Sequence, residues 1–237
     1  MQQSDALDLS ALSTAHIADA CLRVGISVRS APVGIVPLAP SMRCFGRVLP
    51  TRHYGSVELF FEAFERAQPG DILFIDNEGR LDEACVGDLV TLEAKHAGLG
   101  GVVIWGAHRD TSELLDIALP FFSMGAIPTA PQRLNPRPMD SLAWAHAGPW
   151  VVTPLDYAVC DGDGIVFVRE SRLQEVAQAA LSIREYERSR ARDMRAGLSL
   201  REQLRVGEFL AARSLDPTHT FRDHVRRVRS SLEPKVE

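Results

Sequence analysis

The chain has 237 residues, 46% of them hydrophobic, which is enough for one large domain or two small ones; neither a Ser/Gly-rich linker nor an internal repeat argues for two. A formal net charge of -5 gives no overall attraction to nucleic acid, although the tail is locally basic at Arg222, Arg226, Arg227 and Arg229. No apolar run nears the ~20 residues that cross a bilayer. Cysteines 21, 44, 85 and 160 form no Cys-x-x-Cys pair and no apolar leader is visible, so a reducing, cytoplasmic setting is expected.

In chain order, Asp71–Asp76 is a short apolar run between Pro69-Gly70 and Asn77-Glu78-Gly79, the boundaries of a buried strand. Residues 83–97 carry helical periodicity through Ala84, Val86, Leu89, Val90, Leu92 and Ala94, and Gly98 ends the helix. Gly101–Trp105 is a second buried strand, which makes a β-α-β unit with parallel strands and a right-handed crossover. After it, Asp110 and Glu113 form a capping-box pattern ahead of Leu114-Leu115. Asp161-Gly-Asp-Gly164 is expected to be a tight turn between two strands; a calcium loop starting at Asp161 would need Glu at its twelfth position, where Arg172 stands. A charged helix follows over about 171–196, ends at Gly197, and gives way to another with Ser199 as N-cap and Glu202 three residues on. Few apolar residues remain to dock the charged helix after Ile183, so it is expected to bridge subunits.

Ligands of β-α-β units sit beyond the carboxyl ends of the strands. That rule sets Gly87-Asp88-Leu89-Val90 beside the Gly106–Asp110 loop. Amides near Gly87–Val90 can bind a carboxylate as helix N-termini do, with Arg109 and Asp110 facing them. Two carboxylates, a guanidinium and anion-binding amides suit a small oxo acid and a hard cation. His108 lies in the same loop as a possible acid or base.

At these residues the chain resembles the RraA-like family, which includes the 4-hydroxy-4-methyl-2-oxoglutarate and 4-carboxy-4-hydroxy-2-oxoadipate aldolases. The likeness rests on Gly87-Asp88-Leu89 followed by Ala94-x-x-x-Gly98-x-x-Gly101-Val-Val-Ile104-x-Gly106-x-x-Arg109-Asp110. It extends to Leu12–Gly25 as an opening helix, with Asp19 on its polar face, and to Gln68–Leu73, Phe121–Pro128 and Asp161–Val168, covering about 10–205. The resemblance implies an α/β fold with a mixed β core flanked by helices over residues 1–205; residues 206–237 have no counterpart in it and are expected to form a helical C-terminal extension, partly disordered or in contact with a neighbouring subunit. It implies that Asp110 holds Mg2+ or Mn2+ largely through water and that Arg109 meets the substrate keto oxygen. Asp88 would orient a proton-shuttling water, and Gly87 and the amides of Leu89 and Val90 would bind the substrate carboxylate. Glu187, with Glu185 as its rival, would reach a neighbouring subunit's site in a homotrimer or homohexamer. The activity implied is a metal-dependent, class II aldolase releasing pyruvate, with oxaloacetate decarboxylase side activity. Two regions depart from the family pattern: Trp105 stands where Asp is usual, with consequences expected for the pocket floor, and the proline-rich 133–150 segment matches poorly.

Other chemistries are less well supported. The histidines lack zinc-motif spacing. No Gly-x-Gly loop follows the first strand, which argues against S-adenosylmethionine-dependent methyl transfer. Only Lys95 and Lys235 are lysines, the first set toward the far end of its helix and the second in the terminal residues, so an imine mechanism is poorly served. The competing reading is a non-catalytic RraA-like regulator of ribonuclease E, which shares the fold.

Overall fold

The structure is a computed structural model that describes Leu9 and residues 12–232; Lys235 lies outside the described residues. The elements run α1 (Thr14–Arg23), β1 (Arg29–Ser30), β2 (Val36–Pro37), β3 (Cys44–Arg52), α2 (Glu58–Phe64), β4 (Ile72–Val86), α3 (Asp88–His96), β5 (Gly101–His108) and α4 (Thr111–Ile117). They continue with β6 (Phe121–Ser123), β7 (Ala145–Ala147), β8 (Trp150–Val152), β9 (Asp156–Asp161), β10 (Gly164–Arg169), α5 (Glu170–Arg195), α6 (Leu200–Gln203), α7 (Val206–Leu215) and α8 (Phe221–Leu232). Eight strands form one sheet in the order β1-β10-β9-β3-β4-β5-β6-β2, and β7 pairs with β8 in a small second sheet. The central strands β3, β4, β5 and β6 are mutually parallel, while β9, β10, β1 and β2 join antiparallel. The fold is therefore mixed α/β.

The apolar runs in the sequence follow from burial on both faces. Leu73 and Ile75 of β4 and Val102 and Ile104 of β5 pack with Leu59 and Phe60 of α2, Ala94 of α3 and Leu114 of α4. Their alternates Ile72, Phe74 and Val103 pack on the other face with Ala145, Ala147 and Val152 of the small sheet. Side chains alternate along a strand, so two covered faces demand an unbroken apolar run. A third cluster joins Ile17 and Ala20 of α1 and Val176, Ala177 and Ala180 of α5 to Val159 and Val166.

The predicted strand of 71–76 and the predicted strand of 101–105 both form, and they pair in parallel. The helix expected from residue 83 begins instead at Asp88, because residues 84–86 continue β4: Ala84 pairs with Ala107 and Val86 with His108. Between Asp76 and Val86 the register shifts three times, with Glu78 and Gly79 at positive φ. The Asp161-Gly-Asp-Gly164 segment is the tight β9–β10 turn expected. Asp161 itself is buried, accepts from the Thr14 amide at 2.8 Å and hydroxyl at 2.7 Å, and so ties the turn to the start of α1.

The chain divides by contacts into two compact units, residues 1–183 and 184–237. In α5 the buried positions are Val176, Ala177, Ala180 and Ile183, all on the first-unit side of that boundary. The second unit holds the expected capping box at α6, where the Ser199 side chain accepts from the Glu202 amide and Glu202 reaches back to Ser199. Phe209 of α7 packs edge-on against Phe221 of α8, with centroids 5.0 Å apart. No helix among the described residues is long and apolar enough to cross a membrane.

His108 closes the end of β5. It is buried, with Nδ1 2.7 Å from the Ser123 hydroxyl and Nε2 2.9 Å from the Thr111 hydroxyl, linking β5 to β6 and α4. Burial pushes its pKa below the ordinary 6.5, against the raising effects of a backbone hydrogen bond at Gly125 and the Asp110 charge. Between the folded and unfolded values the unfolded chain binds more protons, so this contribution is complete above about pH 6.5 and is lost as pH falls toward the folded value. Urea unfolding across mildly acidic pH should show that loss, and His108→Gln should flatten it; an unchanged pH slope in the variant would remove His108 as the cause.

Candidate active site

The extended β4 delivers the start of α3 to the end of β5. The Arg109 amide donates to the Val86 carbonyl at 3.0 Å, immediately before Gly87 becomes the N-cap of α3. The Thr91 hydroxyl, buried in the first turn, donates to the Gly87 carbonyl at 2.9 Å and holds that cap in place. Only Gly fits here. A Cβ on Gly87 would lie 2.2 Å from Asp110 Oδ2 and 3.1 Å from Arg109 Nε, far inside contact distance.

Gly87, Asp88, Leu89, Arg109 and Asp110 are thus gathered at one helix N-terminus. The first helical backbone bond of α3 runs from the Thr91 amide to the Gly87 carbonyl at 3.2 Å, so the Asp88, Leu89 and Val90 amides lie outside the helix's own ladder. Two of them meet carboxylates: the Asp88 amide donates to Asp110 Oδ2 at 3.3 Å and the Leu89 amide to Asp88 Oδ1 at 2.7 Å. Both contacts suit the positive end of the helix dipole. Arg109 Nε is 3.4 Å from Asp110 Oδ2, and the two side chains are 45% and 34% exposed, so the site is open. Leu89 is exposed, and Val90 packs partly against the core.

Asp110 corrects the capping-box expectation. It is the N-cap of α4 by position, yet it sits at φ 62, ψ 44 and makes no side-chain cap bond there. A left-handed, non-Gly residue costs roughly 1–3 kcal/mol and is held only where its surroundings impose it. Here the twist turns the carboxylate toward α3. His108 is also corrected: both ring nitrogens are engaged by hydroxyls, so neither is offered to a ligand.

The donor set suits only a lightly ligated divalent ion. Among the described residues no group of three or more His, Cys, Asp or Glu could enclose a metal. One or two carboxylates, Asp110 and Asp88, are what the site supplies. That fits a Mg2+-type ion, which keeps several waters and takes only one or two protein carboxylates, and does not fit a structural zinc site.

Glu187 and Glu185 lie on α5 in the second unit. Trp105 does not floor this site. Its ring stands against Gly79, where a Cβ would come within 2.9 Å of the indole nitrogen, and it lines a separate cavity with His53, Arg133 and Trp144. Sequence reading missed that cavity, although the unusual Trp105 and the proline-rich 133–150 segment were its signals. It also missed Thr91 and the steric need for Gly87.

Lys95 sits near the last turn of α3 and donates to the Ile117 carbonyl, away from the helix start. Comparison with known proteins gives the family and the fold. The uncharacterized protein MJ0644 of Methanocaldococcus jannaschii is 33% identical over 129 residues, 54% of this chain and 61% of that protein. A Halalkalibacterium halodurans protein named "Putative 4-hydroxy-4-methyl-2-oxoglutarate aldolase" is 29% identical over 119 residues, 50% of this chain and 56% of its own length. The chain therefore spans less than two thirds of either relative. Streptomyces coelicolor RraAS2, described as an unusual member of the RNase ES inhibitor RraA protein family, has the same fold, with TM-score 0.68 and 24% identity over 81% of this chain and all of that one. The model of the RraA-like family, described as Aldolase/RraA, matches residues 14–167, and the chain belongs to that family.

Proposed function

We propose that the protein is a metal-dependent aldolase that cleaves a 4-hydroxy-2-oxo di- or tricarboxylate to pyruvate and a second oxo acid. Oxaloacetate decarboxylation is its side activity. The observation that carries this reading is the meeting of Asp88, Arg109 and Asp110 at the α3 N-terminus. A substrate carboxylate binds the first-turn amides of Leu89 and Val90, displacing the Asp88 side chain from the Leu89 amide and freeing it for proton transfer. The Arg109 guanidinium donates to the 2-keto oxygen, where negative charge develops. Through a water, Asp88 takes the 4-hydroxyl proton as the C3–C4 bond breaks; the bonding pair moves to the keto oxygen and a proton returns to C3, giving pyruvate. Asp110 would hold the divalent ion, which when bound supplies Lewis-acid stabilisation of the same oxygen. In this reading the open site is completed by Glu187 of a neighbouring copy in a closed ring, a homotrimer or homohexamer, and the protein works in the cytoplasm.

A panel of 2-oxo acids assayed for pyruvate release, with and without metal, tests the reading. A chelator should abolish turnover until Mg2+ or Mn2+ is restored, and borohydride with pyruvate should trap no adduct. Chelator-resistant turnover with a trapped lysine would overturn the metal mechanism, and a folded protein inert to the whole panel would favour a protein-binding role instead.

Substitutions separate the parts. Arg109→Lys should lower kcat on the order of 10²–10³-fold without unfolding, since an ammonium cannot supply the planar fork. Gly87→Ala should lower activity at least as much by pushing Asp110 and Arg109 aside. Near-normal turnover in either would remove that contact from the mechanism.

Mixing inactive Arg109→Ala subunits with inactive Glu187→Ala subunits should regenerate some complete sites. If exchanged mixed oligomers recover no activity while both parents stay folded, Glu187 does not act across the interface.

A further inference from the structure

A cavity of about 390 Å3, apart from the α3 terminus, is lined by His53, Tyr54, Asp76, Trp105, Arg133 and Trp144 among others, and by none of Asp88, Arg109 and Asp110. Trp105 precedes Arg109 by four positions, about 13 Å of extended chain at ~3.3 Å per residue. Part of the wall, Trp105 and residues from 133–146, comes from the two stretches that match the family resemblance poorly; the rest comes from residues 52–54, Asp76 and Glu78.

The protonation of His53 follows from its neighbours. Arg133 Nη2 donates to an Asn77 side-chain atom at 2.9 Å, and because a guanidinium cannot accept, that atom is the amide oxygen Oδ1. The same oxygen lies 2.8 Å from His53 Nδ1, which is therefore the N–H. In the neutral ring Nε2 then carries a lone pair. Burial pushes the His53 pKa down, opposed by the Asn77 hydrogen bond, so the neutral ring prevails at neutral pH. His53 is 5% exposed, and its Nε2 has no hydrogen-bond partner among the described residues. Arg52 Nε is buried in the same condition. Orphaned buried groups of this kind are costly, which gives a ligand that satisfies them an advantage.

Charge and shape narrow the ligand. Arg133 is paired to Glu83 at 2.9 Å, and Arg52 to Asp140, while Asp76 and Glu78 also line the cavity. An anion would meet no unpaired cation there. The Asp76 carboxyl is already bonded to the amides of Glu78 and His146, each at 2.9 Å. The rest of the lining is largely ring-bearing or apolar: Trp105, Tyr54, Pro136, Pro138 and Trp144, one face of the last covered by the Arg52 guanidinium 3.7 Å from its ring centroid. We propose that this cavity binds an uncharged planar ring carrying a hydrogen-bond donor, a phenol or a nucleobase, which donates to His53 Nε2 and packs against the tryptophans.

Trp105 and Trp144 are two of the chain's three tryptophans, so intrinsic fluorescence reports occupancy, and Trp150→Phe removes the third. The full chain is titrated with phenol, adenine, cyclohexanol and benzoate. Saturable binding of phenol or adenine is expected, and which one binds identifies the source; cyclohexanol lacks the flat face and benzoate carries the wrong charge. His53→Phe keeps a ring beside Phe60 but removes the acceptor, and should weaken binding about tenfold, the worth of one hydrogen bond. His53→Gln should recover part of it. Should His53→Phe fail to fold, Trp105→Leu must abolish binding in ligand-observed NMR. Absence of saturable binding by both aromatic probes, preference for benzoate, equal affinity in folded His53→Phe, or binding retained in Trp105→Leu overturns the proposal. The readout is equilibrium binding, so it is independent of whether pyruvate is released.

Discussion

The pairing of the second half of β4 with the end of β5 is the constraint on which the rest of the site depends. Eleven residues of β4, from Asp76 to Val86, run beside only four of β5, from Trp105 to His108, and the excess is taken up in three register shifts. Those excursions bring Val86 level with His108, so that the N-cap of α3, Gly87, falls one residue beyond the last pair, against the Arg109 loop. The Arg109 amide to Val86 carbonyl bond fixes the distance between the two segments. Gly87 makes the approach possible because no side chain intervenes.

Electrostatics then follow from backbone geometry. A helix N-terminus attracts negative charge, and in this protein two of its outward amides are bonded to the carboxylates of Asp88 and Asp110. The site holds, in its own side chains, the kind of group that an oxo acid would bring. Asp110 reaches this position only from a left-handed backbone, a local cost offset by what its carboxylate gains beside α3 and Arg109. The same twist removes it from the N-cap role on α4 that its sequence context suggests.

Membership of the RraA-like family fixes the fold without choosing between chemistry and protein binding, since one scaffold hosts both. The catalytic proposal rests on the side chains of Asp88, Arg109 and Asp110. The His53–Trp105 cavity is a different matter. It is built in part from Trp105 and residues 133–146, and its arginines are already paired with carboxylates.

Much of this was legible in the sequence where the signal is local. The unbroken apolar runs at 72–76 and 101–105 report burial on both sheet faces, and the Ser199–Glu202 capping box sets a helix start through bonds within four residues. The meeting of Asp88, Arg109 and Asp110 was legible from their spacing because a β-α-β unit brings the ends of its elements together. Residues 84–86, however, fit a helical or a strand period equally well, and only pairing with Ala107 and His108 made them strand. Asp110's backbone twist, the sharing of Asn77 Oδ1 between His53 and Arg133, and the placing of Trp105 beside Gly79 were decided by tertiary structure alone. These depend on contacts between segments tens of residues apart, which no local pattern of residue types encodes.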